Sequence, residues 1–201
     1  MHLPKKGLRI LGIAESFSGR THSTLAGVVM RKDLRIDGFT FGSVQVGGMD
    51  ATGTILTMIR DLNRRDLNAI LLSGCVIAWF NIIDPERILS ETGIPVIGVS
   101  YEESAGLEDE IRTHFPDDTA RLAAYRNLGE RNPVAMHTKE TLYLRSWGLS
   151  LPDASRLCND FLYEGSIPEP LLVARICARR LSGCTGWKPA VDQTNDPCLH
   201  K

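Results

Sequence analysis

Three strand-like runs, Arg9–Ser16, Leu25–Met30 and Phe39–Val46, follow one another before any helical periodicity begins. Returning a strand in parallel takes a crossover of a dozen or more residues, and these connections are too short for one. The three runs therefore predict an antiparallel meander. Apolar residues then recur at helical spacing in Ile55, Met58, Ile59 and Leu62. A buried run, Ala69–Ser73, comes next, then a second helix and a further buried run, Pro95–Ser100. The expected fold is α/β: a mixed sheet, with a three-strand meander plus parallel strands, flanked by helices.

Punctuation between the runs is consistent with that order. Asp50 stands where a helix N-cap is wanted, so its carboxylate is expected to accept an orphan backbone N–H. Asp84-Pro85-Glu86 opens the next helix in the same way, with proline at its first position. Leu107–Phe115 and Asp117–Leu128 read as short helices inserted beside the sheet, and Thr141–Arg145 as an edge strand. Ser150 to Asp153 caps a helix ended by Gly165, and Pro168-Glu169-Pro170 launches a last helix, Leu171–Leu181. Residues 1–183 are expected to form a single domain and 184–201 a poorly ordered tail.

At 201 residues the chain is long enough for one well-buried core. A net charge of −1 supplies no overall attraction to nucleic acid, so any such binding must rest on a local basic face. Candidate clusters are Lys5, Lys6 and Arg9; Arg60, Arg64 and Arg65; and Arg175, Arg179 and Arg180, each of which also reads as a solvated face. Five cysteines with no CxxC pair argue against a zinc ribbon and a disulfide framework, and for a reducing compartment. No run reaches membrane-span length and no secretory signal opens the chain, so a cytoplasmic protein without membrane association is expected.

The element order, with an acid closing the first strand, resembles the ribonuclease-H-like arrangement, where carboxylates from different strands converge on catalytic metal. Magnesium or manganese prefers hard oxygen ligands, which makes Glu15 the first candidate ligand and Asp50 the second. Each has a plainer reading, Glu15 as a glutamate opening a loop and Asp50 as a helix cap. Where a third acid would end the run Ala69–Ser73, the chain has Ser73. The following loop carries Gly74, Trp79, Phe80 and Asn81. Its aromatic pair could stack on an unpaired base while Asn81 bonds the base edge, or both rings could pack the core. Arg20 and Arg175 are candidate phosphate contacts.

The segments LGIAESFSGRT, VGGMDAT, ILLSGCVIAWFNIIDPER, TGIPVIGVSYE and SIPEPLLVARICARRL together resemble the endonuclease-dU-like family, over roughly residues 8–182 in consistent order. That family is regarded as a distant relative of endonuclease V. The resemblance implies a ribonuclease-H-like fold and a magnesium- or manganese-dependent endonuclease acting on DNA or RNA that carries a deaminated base such as deoxyuridine. Glu15 and Asp50 would be the catalytic and metal-binding acids; Arg20, Gly74, Trp79, Phe80, Asn81 and Arg175 would contact substrate. Endonuclease V has aspartate in its first strand, where this chain has Ala14 followed by Glu15. Its aspartate-glycine after the fourth strand corresponds to Ser73-Gly74, and relatives commonly carry arginine in the position of Leu172. These departures set out the alternative, a nucleic-acid- or nucleotide-binding protein on a nuclease scaffold that no longer cuts.

Overall fold

The structure is a computed structural model and describes residues 7–17 and 21–183. Arg20 and the tail 184–201 lie outside the described residues. The elements run β1 (Arg9–Ser16), β2 (His22–Arg31), β3 (Ile36–Gln45), α1 (Ala51–Leu62), β4 (Ala69–Ser73), β5 (Val76–Ile77), β6 (Asn81–Ile82), α2 (Pro85–Thr92) and β7 (Val96–Ser100). There follow α3 (Glu108–His114), α4 (Thr119–Asn127), β8 (Asn132–Ala135), β9 (Thr141–Trp147), α5 (Leu151–Asp160) and α6 (Glu169–Ser182). Seven strands form one sheet in the order β3-β2-β1-β4-β7-β9-β8, and β5 and β6 make a small separate hairpin.

The meander is present: β1 pairs antiparallel with β2, and β2 with β3. Parallel pairing then joins β1 to β4 and β4 to β7, as the buried runs require. Carboxyl ends of β1, β3, β4 and β7 consequently share one edge of the sheet. The Thr141–Arg145 expectation needs correction. That run is an interior strand, β9, and the edge belongs to β8, which is short, exposed and contains Pro133, features that blunt an open sheet edge.

Strand alternation sorts the apolar residues into two cores. Leu11, Ile13, Ile70 and Leu72 face α1–α4, whereas Ile10, Ala14, Leu71, Ile97 and Val99 face α5 and α6. The second face allows an unusually close approach: a Cβ on residue 12 would lie 2.5 Å from the Cβ of Pro170, so only glycine lets α6 settle on β1. Caps at α2 and α5 form as expected, with Asp84 accepting from the Arg87 amide and Ser150 from the Asp153 amide. Helix α5 ends at Asp160, earlier than Gly165. Cys75 and Cys158 are buried, and burial pushes each thiol up to about 12, as expected of small core residues. Among the described residues, no helix is long and apolar enough to cross a membrane.

Candidate nucleic-acid interface at the sheet edge

The edge where β1, β3, β4 and β7 end gathers most of the sequence-predicted residues, but divides them between the two faces of the sheet. Glu15 shares the parity of Leu11 and Ile13, so it turns toward the α1–α4 side. There its Oε2 accepts the Ala78 amide (2.9 Å) and its Oε1 accepts the Ser23 hydroxyl (2.7 Å).

Ala78, Trp79 and Phe80 link β5 to β6, and all three adopt left-handed backbone, with φ of 42°, 56° and 64°. Three consecutive L-residues in that region cost about 1–2 kcal/mol each, so the turn persists only because its surroundings fix it. The fixings are explicit. Besides Glu15, the Gly47 amide donates to the Ala78 carbonyl (2.8 Å). Arg121 of α4, only 4% exposed, donates to the carbonyls of Phe80, Gly48 (3.0 Å) and Gly47 (2.8 Å) while stacking over the Phe115 ring at 3.9 Å. Asp118 completes the arrangement by accepting from Arg121 Nε at 3.0 Å. The Arg121 amide and guanidinium hold the Asp118 carboxyl below the usual carboxylate range.

The turn holds Trp79 outward, 53% exposed, with its ring 5.2 Å from Phe115 and 5.5 Å from His114. A Cβ on residue 47 would meet that ring at 3.0 Å, so Gly47 leaves room for it. Phe80 is half-buried against the core. Of the two readings of the aromatic pair, Trp79 takes the displayed one and Phe80 the packed one.

Asn81 and Asp50 are used differently from the expectation. Asn81 is fully buried; its Oδ1 accepts the Ala51 amide (3.1 Å) and its Nδ2 donates to the Gln45 carbonyl (3.0 Å) and to Asp50 Oδ1 (2.6 Å). It therefore caps α1, the task expected of Asp50, and is turned away from any base. Asp50 occupies the N-cap position without a side-chain cap bond. Its carboxylate accepts the Gln45 amide instead (3.1 and 3.2 Å). Glu15 and Asp50 share the sheet edge but engage opposite ends of the turn. Among the described residues, no three His, Cys, Asp or Glu side chains are grouped to hold a metal ion.

On the α6 side, Arg175 donates to the Ser73 hydroxyl (3.4 Å) and lies 5.2 Å above the Tyr101 ring. Ser16 meets Ser182 through their hydroxyls at 3.3 Å. A cleft of about 490 Å³ opens there, lined by Glu15, Ser16, Phe17, Arg175, Arg179 and Ser182. Gly74, with φ of 85°, leaves β4 between the two groups and lines a second cleft with Ser73, Tyr101 and Arg175. Sequence reasoning missed Arg121, because it is one helical arginine among many and the carbonyls it holds lie more than forty positions away, or about seventy.

A family model described as Endonuclease dU matches residues 6–182. A UPF0215 protein of Pyrobaculum calidifontis is 36% identical over 173 residues, covering 84% of this chain and 93% of its own. A crystal structure of a protein of unknown function from Archaeoglobus fulgidus superposes with TM-score 0.74 at 25% identity, over 86% of this chain and 97% of that one. Endonuclease V of Ciona intestinalis, solved with DNA containing an inosine, superposes with TM-score 0.56 at 14% identity, over 86% and 84% of the two chains. At that identity the likeness is one of fold, and the mixed sheet is accordingly ribonuclease-H-like. With matching that runs from before β1 to the end of α6, the chain belongs to the Endonuclease dU family.

Proposed function

We propose that the protein is a magnesium- or manganese-dependent endonuclease that engages DNA or RNA at this sheet edge and acts beside a deaminated base such as deoxyuridine. One observation carries the reading: at the carboxyl end of central strand β1, Glu15 is a lining residue of the cleft that Arg175 and Arg179 of α6 also line, with its carboxylate turned toward the turn on the other face. Family membership and the endonuclease V fold support it.

The donor set fits one cation better than a carboxylate-built pair. Each Glu15 oxygen receives a single hydrogen bond, which leaves lone pairs for a hard cation, and magnesium is commonly held by one or two carboxylates plus substrate phosphates and water. Asp50 is committed to Gln45 and Asn81, and Ser73 faces a guanidinium. A divalent ion bound at Glu15 would polarise the phosphoryl group and lower the pKa of a water. In this reading Arg175 and Arg179 orient the phosphate, Ser16 and Ser73 donate to its oxygens, and Trp79 stacks on the displaced base.

The second reading, binding without cleavage, is favoured by the Ser73–Arg175 contact, which sets a positive charge where a further carboxylate would be needed. Pure protein is to be incubated with magnesium, manganese or chelator and with strands containing uracil, inosine or neither, reading cleavage and affinity together. Metal-dependent cleavage that Glu15→Gln lowers by more than the roughly 10–100-fold typical of a residue that only supports a ligand would establish the first reading. Tight binding with no cleavage in either metal selects the second. No binding and no cleavage removes both.

A further inference from the structure

Eight arginines (Arg9, Arg31, Arg64, Arg87, Arg112, Arg121, Arg126 and Arg156) are each within 3.3 Å of a carboxylate oxygen. Arg131, Arg145, Arg175 and Arg179 make no ion pair among the described residues, although Glu102, Glu103 and Glu130 stand nearby. All four line clefts at one place. Arg175 joins the 490 Å³ cleft to one of 370 Å³ over the ends of β4 and β7. Glu103, Ser104 and Arg131 join that in turn to one of 350 Å³ that contains Tyr143 and Arg145 of β9.

Two of the guanidiniums are held in place by neutral groups. Arg131 donates to the Ser104 carbonyl (2.7 Å), and Arg145 donates to the Gly129 carbonyl (2.9 Å). Arg145 is half-buried, and burial depresses its pKa, with Arg131 acting in the same direction. Desolvating a cation beside another cation without a counter-charge is costly, and an arriving anion relieves it.

We propose that the three clefts form one track for the backbone of single-stranded nucleic acid, in which Arg131 and Arg145 hold phosphates flanking the one bound at Arg175 and Arg179. The inference rests on the reading of the sheet edge as a nucleic-acid site. Tyr101 and Tyr143 offer ring faces along the way. From β1 through β4 and β7 to β9 are three strand spacings, about 14 Å, which a stacked strand advancing 3.4 Å per nucleotide covers in about four nucleotides.

The test compares two-nucleotide and eight-nucleotide uracil-containing DNA strands by fluorescence anisotropy across a salt series. For Arg131→Ala combined with Arg145→Gln, the longer strand is expected to lose about tenfold in affinity while the shorter is unchanged. The slope of log K against log salt should fall by about 1.4, since each single-strand phosphate contact contributes about 0.7. If the double variant does not fold, Arg131→Ala alone carries the test with a slope change of about 0.7. Glu103→Gln, which removes a like charge from the track, is expected to tighten the longer strand only. Unchanged length preference and slope in Arg131→Ala would overturn the track while leaving the Arg175 cleft intact. Wild-type protein that binds neither strand would overturn the nucleic-acid reading and the track together.

Discussion

The turn Ala78–Phe80 and the arginine-lined edge lie at the same end of the sheet and handle their polar groups in opposite ways. Around the turn, Gly47, Asn81 and Arg121 spend their hydrogen-bonding groups on neighbouring polar groups and on a strained backbone. Along the edge, Arg131, Arg145, Arg175 and Arg179 face no carboxylate within ion-pair distance among the described residues. Saturation fixes shape, and the shape it fixes is the outward display of Trp79. Unsaturated charge fixes little, and is what a ligand can use. Burial and function therefore part company: the buried polar residues Asn81 and Arg121 position others, and the working contacts are expected among half-buried and exposed ones.

The comparison breaks first at Arg121. Arg121→Met leaves three carbonyls and one Asp118 oxygen without the guanidinium that donates to them, while the residue-121 amide still donates to the other Asp118 oxygen, and is expected to cost about 3 kcal/mol. For a chain of this size that is a fall of roughly 6–12 °C in Tm. Arg179→Ala, on the exposed side of α6, is expected to stay within about 0.5 kcal/mol of wild type. Calorimetry of the two variants decides: equal, small shifts would mean that the turn is not held from within.

A sharper version concerns Trp79 itself. Being half-exposed, it should cost little stability when replaced by alanine, yet single-strand affinity should fall about tenfold. Trp79→Gly is expected to be about 1 kcal/mol more stable than Trp79→Ala, because glycine bears the positive φ without a Cβ penalty. Chemical denaturation of both variants, with anisotropy alongside, separates display from packing. A large stability loss with normal affinity would put Trp79 in the core.

The smallest expected effect is a pH dependence. The folded Asp118 carboxyl titrates below its ordinary 3.8, held there by the Arg121 amide and guanidinium. Its contribution is therefore fully present above the unfolded value and is lost as pH falls through the depressed folded one. Asp118→Asn should be somewhat less stable than wild type near neutrality and lose less on acidification, with the curves converging only below about pH 4. Parallel curves down to acid would mean that Asp118 does not support the Arg121 clamp.

Most of the fold was legible because its signals are local. Apolar runs of strand length, short connections and the Asp84 and Ser150 caps each depend on neighbours in sequence. Strand β8 escaped because four residues, three of them exposed and one a proline, carry no apolar alternation. At the site, Glu15 could be singled out by its position at a strand end, and Trp79 and Arg175 by residue type. The left-handed turn could not, since Ala-Trp-Phe contains none of the glycine or asparagine that usually announces positive φ. Asp50 illustrates the same limit. Its cap position is readable, but the acceptor that makes it unnecessary there, the Asn81 Oδ1, arrives thirty-one residues later. Arg131 and Arg145 gave no signal at all, because what distinguishes them is that, among the described residues, their partners in space are carbonyls and not carboxylates.

The contact between Gly12 and Pro170 has a consequence for how the molecule is made. Helix α6 follows β1 to β9 in the chain, yet it covers β1 and β2, which precede the other described elements. Until α6 arrives, Ile10, Ala14, Val28 and Leu71 have no lid over them, and neither Arg175 nor Arg179 has reached the edge. With translation at about 5–20 residues per second, the sheet spends seconds with an apolar face open and without the arginines of α6 at its edge. The arginine-lined side of the edge is thus a late product of assembly, and a residue-12 side chain that kept α6 from seating would leave the sheet standing without Arg175 and Arg179 beside it.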